Sequence, residues 1–533
     1  MLKPRLKKTS SILILLLLLF FFKNAQAEHE FHLTNEISFT SNNVSGPGYQ
    51  SSSLTEGFHY LNVLGITGMG KIKGFDYNLN LGVKSTDDRA NDPKTHSLTN
   101  AQLRFTNKIH TLNIGDTFES FSQYTLSSAI KGGSYKYTDP SMKLPEVTLI
   151  YGAAYPRWDS LWRDKKTAVL ERQAYGGRIK YNVSEEFWVG FNYIRSEDDK
   201  RRTASDTLYD NSLYSFDFEY RPLPGATISS ELAFNSTRKS EQEGEPYKEY
   251  HGMAFKITAI GDKDPSRVTL EYERVEPDFE TLLGSATADR EKFKFKWRYK
   301  HTRDLIFNTG FLWYRNNLEG QKADGTTHYY KPEFGVTIKK LFGRQYASTD
   351  ISYKLSRSHN KTSKTDHVVN LNYRDRFGQF DFDGNFGYTS YDTKGASRSK
   401  SYEFTYNGSL SSRHTLGDYI LKPSLYLGGW SSRNELEDKS DIIYEYSLGL
   451  GFEIPKYNIN SDLRFGMNKL EKDAGDDSQK AFGSFSIYYK PKFLEKLKYS
   501  MLYLRAYVND YRFTTGSNNF RETSITFGIN LEI

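Results

Sequence analysis

The chain has 533 residues, 72 of them basic and 65 acidic, and no cysteine. The lack of thiols excludes disulfides, thiolate metal sites, catalytic cysteines and covalent c-type haem attachment within this chain. A mean hydropathy of −0.67 beside 39 tyrosines and 36 phenylalanines describes a hydrophilic chain that is unusually aromatic.

Residues 1–27 carry the pattern of a Sec-type signal peptide. Lys3, Arg5, Lys7 and Lys8 form a basic start, Ile12 to Phe22 is uninterruptedly apolar, and Ala25-Gln26-Ala27 is a small-x-small cleavage site before Glu28. The apolar run falls well short of the roughly 20 residues a membrane helix needs, and nothing after residue 27 approaches that length. Removing the segment takes five basic residues and no acidic ones, so the formal charge falls from +7 to +2. The charge argument for a polyanion partner, nucleic acid included, goes with it.

Residues 28–533 show period-two alternation and no sustained helical period. Strands are predicted near 30–40, 58–67, 73–84, 98–107, 109–116, 127–138, 146–155 and 171–182. Within this part, 116–170 is irregular. Its cluster Arg157, Trp158, Trp162, Arg163, Lys165 and Lys166 is a candidate inward-folded constriction whose cations would set anion preference. The plainer and preferred reading is an external loop with aromatics at a membrane interface.

Beyond about residue 186 the alternation is clean. In 214-YSFDFEYR-221, 351-ISYKLS-356, 402-YEFTYNGSL-410 and 446-YSLGLGFEI-454, aromatic or aliphatic residues share one face and polar or small residues the other. Short connections (222–225, 301–304, 374–379, 413–418, 454–457) alternate with long polar ones. The long ones lie near 196–210, 236–247, 276–289, 316–326, 358–366, 391–400, 431–440, 470–480 and 511–520. A soluble sandwich or propeller also alternates, but does not need this short-long cadence.

One strand is chemically unusual. In 291-EKFKFKWRYK-300 the face Phe293, Phe295, Trp297, Tyr299 opposes a face of Lys292, Lys294, Lys296, Arg298 and Lys300. In isolation it suits nucleic acid. If the loop 276–289 closes symmetrically, however, Glu273 of 268-VTLEYER-274 falls opposite Lys292 and Glu271 opposite Lys294. The pairs neutralise part of the basic face. Lys292, Lys294, Lys296, Arg298, Glu271 and Glu273 are therefore expected to face a water-filled interior, and the aromatics lipid.

The chain ends 523-TSITFGINLEI-533. Thr526, Gly528, Leu531 and Ile533 resemble the C-terminal β-signal of Gram-negative outer-membrane β-barrel proteins, which usually ends in phenylalanine where this chain has Ile533. The resemblance implies recognition by the barrel-assembly machinery and insertion into outer-membrane lipid. The expected fold is all-β: one large antiparallel transmembrane barrel with short periplasmic turns and long extracellular loops. It should have about 26 strands, within a range of roughly 22 to 28.

A barrel that wide needs its lumen narrowed. With the first strand starting almost at Glu28 there is no room for an N-terminal plug, so inward loops, flattening or a partner must do it. The strand number is similar to that of porin–cytochrome conduits and of lipopolysaccharide-translocating barrels plugged by a lipoprotein. It implies a lumen-filling periplasmic lipoprotein or multihaem cytochrome as a candidate partner, any haem belonging to that partner. The expected function is a porin or conduit for a solute or enclosed partner. The alternative is a surface-exposed binding or structural barrel with a blocked lumen. An usher-like secretion barrel (114-IGD-116 and 130-IKGG-133 resemble ushers) and an outer-membrane hydrolase rank lower. No residue set is assigned to catalysis, cofactor or metal; the pair His29 and His32 has no further ligands near it in sequence.

Overall fold

The computed structural model describes residues 29–154, 157–159, 172–199, 207–240, 246–395, 398–497 and 499–533. The expected leader, 1–27, falls outside them. Twenty-six antiparallel strands close into one barrel, and 72% of the chain is strand.

In chain order the strands of the first half are β1 His29–Ser45, β2 Gly57–Ile72, β3 Phe75–Thr86, β4 His96–Thr106, β5 His110–Phe118, β6 Ala129–Tyr137, β7 Glu146–Ala154, β8 Arg172–Asn182, β9 Phe187–Asp198, β10 Leu208–Leu223, β11 Ala226–Ser240, β12 Lys248–Lys263 and β13 Ser266–Val275. The second half has β14 Arg290–Lys300, β15 Leu305–Asn316, β16 His328–Lys339, β17 Ser348–His359, β18 Ser363–Phe377, β19 Phe380–Lys394, β20 Ser399–Ser412 (continued by His414–Leu416), β21 Tyr419–Asn434, β22 Lys439–Ile454, β23 Ile459–Lys472, β24 Ser478–Tyr489, β25 Met501–Phe513 and β26 Phe520–Glu532. The last strand pairs with the first, Ile37 opposite Ile529 and Phe39 opposite Phe527, which removes both sheet edges.

Exposure tells inside from outside. On β10, Phe216 is 55% exposed while its neighbour Ser215 is fully buried. The same inversion recurs at Phe386, Phe404, Leu448 and Phe527, all exposed. A soluble barrel would bury these rings. Here the apolar face is outside and the polar face inside, as membrane-spanning strands require.

Both termini lie at one end. Connections there are tight: 73–74, 224–225, 264–265 and 378–379 are two residues each. At the other end lie 46–56, 119–128, 276–289 and 317–327. The segments expected near 358–366, 391–400, 431–440 and 470–480 contract to 360–362, 395–398, 435–438 and 473–477, because the ladder from β17 to β24 continues into residues whose polarity suggests loop.

Candidate functional site

The interior is not uniformly polar. An apolar strip crosses the inner wall, one residue per strand, from β6 to β13: Ile130, Ile150, Ala174, Ile194, Leu213, Ala233, Ala254 and Val275. Two connections fold inward and pack on it. Residues 119–128 contribute Phe121, Tyr124 and Leu126, and residues 276–289 contribute Phe279 and Leu283. Tyr124 is fully buried and meets Phe279 edge-on at 5.6 Å, a favoured aromatic geometry.

Hydrogen bonds fix the two segments to each other and to the wall. Ser127 N donates to Leu283 O at 2.9 Å, Ser285 N to Gln123 O at 2.8 Å, and Thr281 Oγ1 to Tyr124 O at 2.6 Å. From the wall, Asn211 donates to Glu280 O at 3.0 Å and Asn235 to Asp278 O at 3.2 Å. Arg178, which also binds Asn192 and Asp217, donates to Phe121 O. Tyr124 O–H donates to Glu273 at 2.8 Å, and Ser122 to Glu231. A buried carboxylate is costly unless it is multiply bonded. Residues 119–128 therefore supply partners to both carboxylates, completing sets that Lys292 begins for Glu273 and Ser215 for Glu231.

Close approach requires a missing side chain at Gly252 on β12. A Cβ there would sit 2.3 Å from Phe279 N and 2.6 Å from the carbonyl carbon of Asp278.

Past this shelf the inner wall changes character. Glu273 stands opposite Lys292 and Glu271 opposite Lys294, the register expected from symmetric closure of the loop. The carboxylates choose differently, however. Lys292 binds both, at 2.9 Å to Glu271, which also lies 3.5 Å from Lys256. Lys300 turns to Asp264 at 3.1 Å. Among the described residues Lys294, Lys296 and Arg298 have no carboxylate within ion-pair distance. They line a recess of about 650 Å³ with Arg267 and Lys354, against Glu333 and Asp350. Their outward neighbours Phe293 and Phe311 pack together, and Trp297 donates to Ser266 at 2.9 Å near the turn.

Arg157 and Trp158 stand at the mouth. Arg157 donates to Ser97 at 2.7 Å and pairs with Asp92 at 3.0 Å and Asp159 at 2.7 Å. Trp158 donates to Asp116 at 2.8 Å. Burial opposes ionisation of Asp92, but the Lys94 N–H and the Ser97, Lys84 and Arg157 side chains outweigh it and hold this carboxyl at about 2. Trp162, Arg163, Lys165 and Lys166 lie outside the described residues. Within 116–170 it is 119–128 that enters the lumen, and its partner is 276–289, where the sequence reading has only an external loop. The missed signal is phase: Leu213 and Val275 fall in the polar phase of their strands, and Ala233 and Ala254 continue the row.

Near the termini, Thr526 meets Thr40 at 2.9 Å, Leu531 faces Asn35, and Ile533 exchanges backbone bonds with Leu33 at 2.8 and 2.9 Å. Gly528 lies beneath Tyr503, whose hydroxyl crosses the last strand to Glu36 of β1 at 2.6 Å. His29 shares a 3.0 Å hydrogen bond with the Tyr77 hydroxyl.

A closed barrel with an apolar exterior, a polar interior and loops folded into its lumen has the architecture of a bacterial outer-membrane β-barrel. No family model matches the sequence, and no curated protein does either. Among solved structures the chain is similar to Pseudomonas aeruginosa OccK8 (OprE), with 9% identity, 64% of this chain and 97% of that chain covered, and a TM-score of 0.34. OpdK of the same organism, with vanillate, gives 12%, 65% and 98%, and 0.28. Acinetobacter baumannii OccAB4 gives 10%, 96% and 100%, and 0.28. The class assignment rests on this barrel's own closure and face chemistry.

Proposed function

We propose that the protein is an anion-preferring outer-membrane channel, narrowed on one side by its own inward segments and passing solute along the β14–β17 wall. The observation that carries this reading is the unpaired row Lys294, Lys296 and Arg298 beside the shelf. Cations in excess of the carboxylates beside them, as here over Glu333 and Asp350, raise the local concentration of anions in a lumen and repel cations. A shelf held by its own hydrogen bonds and apolar packing makes a lumen-filling lipoprotein or cytochrome unnecessary. Chemistry on the solute plays no part in this reading.

The test is reversal potential under a salt gradient in planar bilayers. The wild type should select chloride over potassium, and the triple variant Lys294→Glu, Lys296→Glu, Arg298→Glu should lose or invert that preference. Unchanged selectivity would sink the assignment of these residues. A wild type that never opens, yet co-purifies with a periplasmic protein after mild extraction, would favour the partner-filled conduit.

A further inference from the structure

The lipid-facing surface is interrupted on β16. Pro332 has no N–H to give, and the β16–β17 ladder passes from Tyr330 opposite Arg357 to Glu333 opposite Lys354 with no pair between. A cavity of about 490 Å³ opens there on the outward face. Phe311, Tyr330, Pro332 and Leu355 make its apolar floor. Arg357, His328 and His359 crown it toward the end remote from the termini.

Several outward arginines near this level are paired with carboxylates. Arg315 is bonded to Glu291 at 2.6 Å, and Arg195 and Arg238 share Asp210. Among the described residues no carboxylate lies within ion-pair distance of Arg357. A guanidinium at the edge of hydrocarbon without a counter-ion is costly, and a planar fork favours bidentate phosphate. An apolar groove capped by such a fork fits an acyl chain topped by an anionic head group. Both termini mark the periplasmic end, so the groove opens in the outer leaflet.

We propose that this groove binds lipopolysaccharide, an acyl chain of its lipid A lying along Phe311, Pro332 and Leu355 and a lipid A phosphate held by Arg357. His328 and His359, directly opposite each other across the ladder, supply further donors to the same phosphate. The site lies outside the lumen and is independent of the channel reading.

The purified, folded full-length barrel in detergent can be titrated in native mass spectrometry with bisphosphorylated lipid A, dephosphorylated lipid A and phosphatidylglycerol. Bisphosphorylated lipid A should bind one to one, about tenfold or more tighter than the dephosphorylated form, the scale of one charge-assisted contact. Arg357→Gln should weaken only the phosphorylated lipid, by a similar factor. Equal binding of the two lipid A forms, or no effect of Arg357→Gln, overturns the site. Phosphatidylglycerol binding as tightly as bisphosphorylated lipid A overturns the assignment to lipopolysaccharide. Should Arg357→Gln fail to fold, judged by heat-modifiable migration, the wild-type comparison decides alone.

Discussion

Gly252→Ala tests whether the lumen shelf is a seated structure. The added methyl would lie 2.3 Å from Phe279 N and 2.6 Å from the Asp278 carbonyl carbon, against backbone that cannot rotate away. Forcing an extra carbon into a packed site costs about 1–3 kcal/mol. Two wall hydrogen bonds hold this part of 276–289, from Asn235 to Asp278 O and from Asn211 to Glu280 O; at about 0.5–1.5 kcal/mol each they total about 1–3 kcal/mol. Strain matches these two bonds but not the added packing of Phe279 and Leu283 and the bonds to 119–128, so the variant should loosen the segment from β12 while the barrel stays closed. Single-channel recordings should show higher mean conductance and more flicker, and added protease should cut within 276–289. Gly261→Ala on the same strand is the matched control, since a Cβ there meets nothing within 4 Å. If Gly252→Ala and Gly261→Ala both behave as wild type, the shelf is not seated against β12 and the argument fails.

Other expectations concern insertion, assembly and pH. Phe295→Lys places a charge on the lipid face, at about 2–4 kcal/mol near mid-membrane, whereas Lys294→Phe alters only the lumen; heat-modifiable migration should reveal less folded Phe295→Lys, and equal yields would undo the face assignment. Gly528→Val fills the space under Tyr503 and displaces its hydroxyl from Glu36, so folded barrel should fall in an assembly assay while Gly261→Val assembles normally; equal yields of the two would remove the glycine's role. Asp92 is depressed from an ordinary 3.8 to about 2, so its anchoring of 87–95 is complete above the ordinary value and lost as pH falls through about 2. Pepsin should therefore spare that loop at pH 4 and cut it near pH 2, and cutting at pH 4 would contradict the anchor.

The strands were legible because a transmembrane barrel writes its two solvents onto alternate residues. The eight irregular early strands and the opposition of Glu273 to Lys292 follow from alternation and loop symmetry alone. Pairing of charges did not follow, because register fixes backbones while long side chains choose partners: Lys292 takes both glutamates, and that choice frees Lys294. The inward segments stayed hidden for a related reason. Residues 276–289 are polar enough for an external loop, and just Phe279, Leu283 and Ala286 of the segment pack with the wall's apolar cluster. That strip is visible only when neighbouring strands are aligned, since each supplies a single residue.

The shelf joins residues far apart in sequence: Ser128 bonds Leu283 across 155 positions. Closing so long a loop is entropically expensive until both partners are presented by finished strands. Residues 119–128 therefore have their complete seat, from Arg178 and Glu231 to Glu273 and the segment after β13, only once half the barrel exists. A sheet that has not yet reached that stage encloses a wider lumen than the finished barrel.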